Sequence, residues 1–252
     1  MKALKLYNST ISSWNESAAI SQENHPHLFM LFLVRVNFTN GELPPGLLAD
    51  DFPQNLLDIE LCVTNLRTLP DDLDRKWPQL ASVYFEASNL TEVSPSLARL
   101  APQDLSLALN PISQIPAALF EGDGAYLHVG GTLISELPQK VKNLSPDLNI
   151  RLENTNISFF WDWIDPLVAI AGQEPSAVPT ILATGTPYCT ELQQLYDGQI
   201  TRFSERWHET LSSILLNASS TNWATLKKAV SCDQWPSTWY PLDMEDAYSK
   251  VR

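Results

Sequence analysis

Apolar residues alternate with polar or small ones in short bursts along the chain, and the bursts return every two dozen positions or so. The clearest are Leu105-Ser-Leu-Ala-Leu-Asn-Pro-Ile-Ser-Gln-Ile-Pro116 and Leu127-His-Val-Gly-Gly-Thr-Leu-Ile-Ser-Glu-Leu-Pro138, which align position for position with residues 59–70. The front half of each burst has period two, as a strand with one buried face requires. The back half turns the chain round. Apolar residues then recur on the return leg at Leu73 and Leu80, Leu97 and Leu100, Leu119, and Val141, Leu144 and Leu148, giving each unit a second inward rim. Units are expected to begin at Leu4, Val34, Ile59, Val83, Leu105, Leu127, Ile150 and, less regularly, Ile181, at intervals of 30, 25, 24, 22, 22, 23 and 31 residues. Repetition at such a period points to stacked copies of one supersecondary unit, because a single copy cannot bury both of its rims.

The sixth position of the unit is Ser9, Thr39, Thr64, Ser88, Asn110, Thr132, Thr155 and Thr186, small side chains suited to hydrogen-bonding the backbone of the adjoining turn. The consensus L-x-L-x-x-[N/T]-x-L-x-x-L-P resembles the leucine-rich repeat family, over about residues 1–192. The unit at Val34 departs from it after Thr39, where Gly41 takes an apolar position. The resemblance implies an α/β solenoid of about seven to eight repeats spanning residues 1–198. Parallel strands would line a concave face, and short helices or 3₁₀ turns the convex side. The family's usual role implies a protein or peptide ligand on the concave face.

Beyond Phe160 the texture changes, and six of the eight tryptophans fall between Trp161 and Trp239. A short helix over 161–171, ended by Gly172, is expected first. Helices over about 204–217, with Trp207, Leu211, Ile214 and Leu215 on one face, and over 221–232 would form a helical C-terminal cap within residues 199–252. Such a cap would cover the last strand's unpaired edge. The tail beyond Pro236 reads as an ordered or partly ordered strap.

Sixteen basic residues against twenty-nine acidic give a net charge of −13, which disfavours phosphate backbones and makes nucleic acid an unsuitable partner. No transmembrane segment is expected, since the longest apolar run, residues 28–34, falls well short of the roughly 20 needed to span a bilayer. The chain opens directly into a repeat strand without the apolar run of a secretion signal, yet carries seven N-x-[S/T] sequons, at Asn8, Asn15, Asn37, Asn89, Asn143, Asn156 and Asn217. Both features fit a fragment of a secreted or cell-surface protein, with cytoplasmic residence as the alternative. Cys189 and Cys232 bracket the C-terminal region and are suited to form a disulfide, which leaves Cys62 as a free thiol on the strand face.

No nucleophile elbow, phosphate loop or dinucleotide fingerprint is present, and His25 and His27 have no third metal ligand nearby. Neither a cofactor nor catalysis is expected. The candidate site is therefore the concave strand face, and strand register assigns its outward positions. Glycans on Asn8 and Asn37 would crowd Lys5, Tyr7 and Arg35 at its N-terminal end. The stretch chosen as ligand-binding is Glu60, Tyr84, Glu86, Ala108, His128, Gly130, Arg151 and Glu153, with Tyr84 and His128 flanking a dip of small residues. The leading expectation is a non-catalytic recognition module of a secreted protein or receptor ectodomain. An intracellular scaffold, or an accessory domain of a larger enzyme such as a receptor kinase, are the alternatives.

Overall fold

A single row of apolar side chains, Leu4, Leu31, Ile59, Val83 and Leu105, runs in register across five parallel strands: β1 (Ala3–Ile11), β2 (Met30–Phe38), β3 (Asp58–Cys62), β4 (Ser82–Tyr84) and β5 (Asp104–Ser106). The computed structural model describes residues 1–173, 179–205 and 208–249. Residues 1–110 and the segment from Pro236 make one unit, and residues 111–235 make a second. In the second unit the corresponding row is Leu127, Ile150, Ile181 and Val230, on β6 (Tyr126–His128), β7 (Asn149–Arg151), β8 (Ile181–Leu182) and β9 (Val230–Ser231), again all parallel.

The register corrects one expected starting point. Leu31, not Val34, pairs with both Leu4 and Ile59, and Leu31 and Leu33, both fully buried, lie on the face of that apolar row. Val34 points to the opposite face, which is also covered, so the run Leu31-Phe-Leu-Val34 offers apolar residues to both sides. Parallel strands covered on both faces lose the polar half of the alternation.

A backbone feature recurs within or shortly after each of the strands β1–β8. The fifth residue of each unit is left-handed: Asn8, Arg35, Val63, Ala87, Leu109, Gly131, Asn154 and Gly185 all have φ between 49° and 75°. Six of these eight are not glycine, although a left-handed L-residue costs roughly 1–2 kcal/mol. The sixth-position side chains hold the turn that follows. Thr132, Thr155 and Thr186 each donate a hydroxyl to the carbonyl three residues earlier, at 2.7 Å. Asn110 donates to the Leu107 carbonyl and accepts the Leu90 N–H at 3.0 Å, so the small-polar ladder is present at these positions, whereas the corrected register puts Val36, not Thr39, beside Ser9 and interrupts it in β2. It serves strand carbonyls more than turn amides.

On the return legs of the first unit stand α1 (Leu73–Lys76) and α2 (Pro95–Leu100), the latter opened by Ser94, whose hydroxyl accepts the Ser96 N–H. Leu73, Leu97 and Leu100 are buried as expected, whereas Leu80 is 58% exposed in a left-handed turn. Between the legs, Trp77 lies stacked between Phe52 and Phe85, with centroids 5.8 and 6.0 Å away, and donates its indole N–H to the Leu47 carbonyl. In the second unit Phe120 fills the position beside the half-buried Leu119.

The second unit departs most from expectation. The helix expected over 161–171 is a 3₁₀ turn, Asp162–Ile164, leading into α3 (Asp165–Gln173), which continues through Gly172. An unexpected helix, α4 (Pro187–Tyr196), follows β8; Thr186 caps it by accepting the Cys189 N–H, and Pro187 occupies its first turn. No helix forms at the described residues of 204–217, where turns and a bridge from Leu211 to Trp161 stand instead; Trp207 lies outside the described residues. The last expected helix is shorter, α5 (Trp223–Ala229), because the chain runs straight on into β9. The C-terminal part is thus a further strand with helices around it. Phe160, Tyr188 and Phe203 pack face and edge at its centre, with centroid separations of 4.9 and 5.3 Å. Cys189 on α4 is bonded to Cys232 just after β9, as expected.

Candidate ligand-binding face

Side chains of opposite parity to the buried row form the outer face of β1–β5. Two rows follow from the pairing: Lys5, Phe32, Glu60, Tyr84 and Ser106, then Tyr7, Val34 and Cys62, continued by Glu86 and Ala108 just past the ends of β4 and β5. Expected as an open surface, these rows are largely covered: Glu60 is 7% exposed, and Glu86, Cys62 and Ala108 are fully buried.

What covers them is the chain's own C-terminal segment. Glu86 Oε1 accepts the backbone N–H of Trp239 at 2.8 Å, and Oε2 accepts that of Tyr240 at 3.0 Å. Ser106 Oγ also donates to Oε1, and the Cys62 thiol lies 3.9 Å from Oε2. A buried carboxylate needs several donors to replace its water, and here two successive peptide groups supply them. The Tyr240 ring enters an apolar patch of Val34 and Cys62, with Phe32, Tyr7 and Leu242 around it, and its hydroxyl donates to Glu245 at 2.8 Å. Trp239 packs obliquely on Tyr84, centroids 5.2 Å apart.

From Leu242 the segment forms α6 (Leu242–Ser249), which places two carboxylates against basic groups of the first strands. Glu245 pairs with Lys5; Asp246 accepts the Tyr7 hydroxyl at 2.7 Å and the Arg35 guanidinium through both of its oxygens. The contact with Asp246 raises the pKa of both Tyr7 and Arg35.

Beside this segment lies an acidic pair. Burial, reinforced by the neighbouring Asp58, pushes the Glu60 carboxyl up to about 9, and Asp58 is raised as well. Burial thus favours the neutral form of the Glu60 carboxyl, and Glu60 Oε2 and Asp58 Oδ1 are both buried without a hydrogen-bond partner among the described residues. Burial also pushes the Cys62 thiol well above its ordinary range, which makes it a packing residue and not a nucleophile. Among the described residues no group of His, Cys, Asp and Glu is arranged to hold a metal ion.

The expected site residues of the second unit are collected but not open. Arg151 donates to Glu153, whose other oxygen lies 3.6 Å from His128 Nε2, and all three are buried. Gly130 permits this approach: a Cβ there would stand 2.9 Å from His128 Nε2 and 3.1 Å from the Glu153 carbonyl. Thus Glu60, Tyr84, Glu86 and Ala108 fall on one continuous face, and His128, Gly130, Arg151 and Glu153 in one buried polar group. Phe32 and Val34 are the residues of this face that sequence reasoning missed. Counting from Leu31 instead of Val34 would have put both on the outer face.

All seven sequon asparagines, Asn8, Asn15, Asn37, Asn89, Asn143, Asn156 and Asn217, are exposed. Asn37, Asn89 and Asn156 occupy the same place in their units, two residues past the left-handed turn position. No described helix is long and apolar enough to cross a membrane. The chain matches no known protein-family model, and no curated protein is significantly similar to it.

Proposed function

We propose that the chain is a non-catalytic protein- or peptide-binding module of the leucine-rich repeat kind, part of a secreted or cell-surface protein, which takes its ligand on the outer face of β2–β5. The observation that carries this reading is the clamp of Glu86 on two consecutive backbone N–H groups, beside an aromatic pocket. Hydrogen bonds to a peptide backbone are independent of sequence, while the pockets on either side read side chains, a division of labour common to surfaces that hold extended peptides. The long run of parallel strands, the recurring turn and the threonine ladder support the repeat assignment. The Cys189–Cys232 disulfide and the exposure of all seven sequon asparagines favour an oxidising, glycosylating compartment.

The test is to pan a random-peptide display library against the full chain carrying Glu245→Lys and Asp246→Lys, which loosen α6, and to counter-screen with Tyr84→Ala added. Enriched peptides that lose affinity with Tyr84→Ala, at unchanged melting temperature, support a ligand-binding face. Failure to enrich any such peptide removes it. Intact mass of the product from a secreting eukaryotic host reports the compartment through attached hexosamine.

A further inference from the structure

The segment from Pro236 has the attributes of a bound ligand more than of a core element. Its strongest anchor, Glu86, holds backbone N–H groups that any peptide possesses. The two basic groups that meet its carboxylates remain partly open to solvent, Lys5 at 42% and Arg35 at 36% exposure, so salt screens these pairs although Glu245 itself is buried. Met244 on α6 is 73% exposed and Glu245 is the one buried side chain of this short helix among those described, so the helix itself buries little to keep it closed. In an acidic chain, Lys5 and Arg35 together form a basic spot on a face otherwise lined by Asp58, Glu60 and Glu86.

We infer that this face selects partner segments in which two adjacent aromatic residues are followed, about five residues on, by two adjacent carboxylates, and that Pro236–Ser249 is a built-in competitor for them. The inference rests on the ligand-binding reading above and specifies the ligand. The aromatic pair fills the patch of Phe32, Val34, Cys62 and Tyr84 while its amides reach Glu86. The carboxylates then fall against Lys5 and Arg35. A tethered occupant has an effective concentration in the millimolar range, so a partner with the same contacts gains the face only when it is abundant, makes additional contacts, or meets a loosened tail.

The test uses the full chain and a fluorescently labelled synthetic peptide of residues 236–249. The Glu245→Lys/Asp246→Lys variant sets like charges against Lys5 and Arg35 and leaves the groove itself intact. It is expected to bind the peptide at least about tenfold more tightly than the unaltered chain. A peptide with both aromatic residues replaced by alanine is expected to bind the variant at least tenfold less. Equal affinity for the two chains, or affinity indifferent to the aromatic pair, overturns the inference. A folded variant that ignores this peptide but binds display-selected peptides without the aromatic pair overturns it too, and leaves the ligand-binding face standing; a variant that binds neither removes both. Hydrogen exchange on the unaltered chain guards against a variant that fails to fold. Trp239 and Tyr240 amides that exchange faster than those of Ile59 and Leu61 support a tail that opens by itself. Exchange at the same rate means that the tail opens only on global unfolding, and overturns the inference.

Discussion

Glu86 and Tyr240 stand 154 positions apart in the chain, yet Glu86 Oε2 accepts the Tyr240 backbone N–H at 3.0 Å in a fully buried setting. Removing the carboxylate strands two peptide donors, and a buried donor without an acceptor costs roughly 1–3 kcal/mol. Glu86→Ala is expected to destabilise the chain by about 3 kcal/mol in urea titration and to accelerate exchange of the Trp239 and Tyr240 amides. Glu86→Gln, which keeps one acceptor oxygen, is expected to cost about half as much. A loss below about 1 kcal/mol for the alanine variant would show that water takes the place of the carboxylate.

Glu60 supplies a pH signature. Its carboxyl is raised to about 9 in the folded chain, against an ordinary value of 4.5, so its protonated form is the one the fold favours. The contribution is fully present below about pH 4.5 and is lost as pH rises through 9. Melting temperature is therefore expected to fall between pH 5 and pH 9, and Glu60→Gln to flatten that fall, leaving the variant more stable than the parent at pH 9. Parallel curves for the two proteins would refute the assignment.

The Cys189–Cys232 bond closes a loop of 43 residues within the second unit. On the chain-entropy estimate it stabilises by about 4 kcal/mol. Cys189→Ser with Cys232→Ser is expected to lower the urea midpoint accordingly, and dithiothreitol to reproduce the effect in the parent. Cys62, fully buried beside Tyr240, is expected to be alkylated only when the C-terminal segment opens, and so faster in the Glu245→Lys/Asp246→Lys chain than in the parent.

Val63 is a β-branched residue held at φ 54°, a conformation such side chains rarely adopt. Val63→Gly relieves that strain at the expense of a more flexible unfolded chain, for an expected net gain of about 0.5–1 kcal/mol. The same change at Ala98, inside α2, is expected to cost about 1 kcal/mol. Two losses of similar size would mean that the side-chain contacts of Val63 outweigh its backbone strain.

The strands whose second face carries polar or small residues were legible residue by residue, because Ile59, Leu105 and Leu127 alternate with such neighbours. β2 was misregistered because the tail buries its second face: Phe32 and Val34 are apolar for Tyr240, not for the core. β9 escaped notice because two residues joined directly to α5 carry neither alternation nor a turn signal. Register alone placed Glu60, Tyr84 and Glu86 on a common face. Their cover was not readable, since a non-periodic segment leaves no mark in the sequence of the strands on which it folds back.

The shared left-handed torsion at the fifth position of each unit has a consequence for lineage. A splice from Val63 to Ala87 joins two points with the same local path, so a whole coil can be deleted or copied without redesigning the joint. Because Asn, Arg, Val, Ala, Leu and Gly all occupy the position, descendants can keep the geometry while their residues drift beyond recognition.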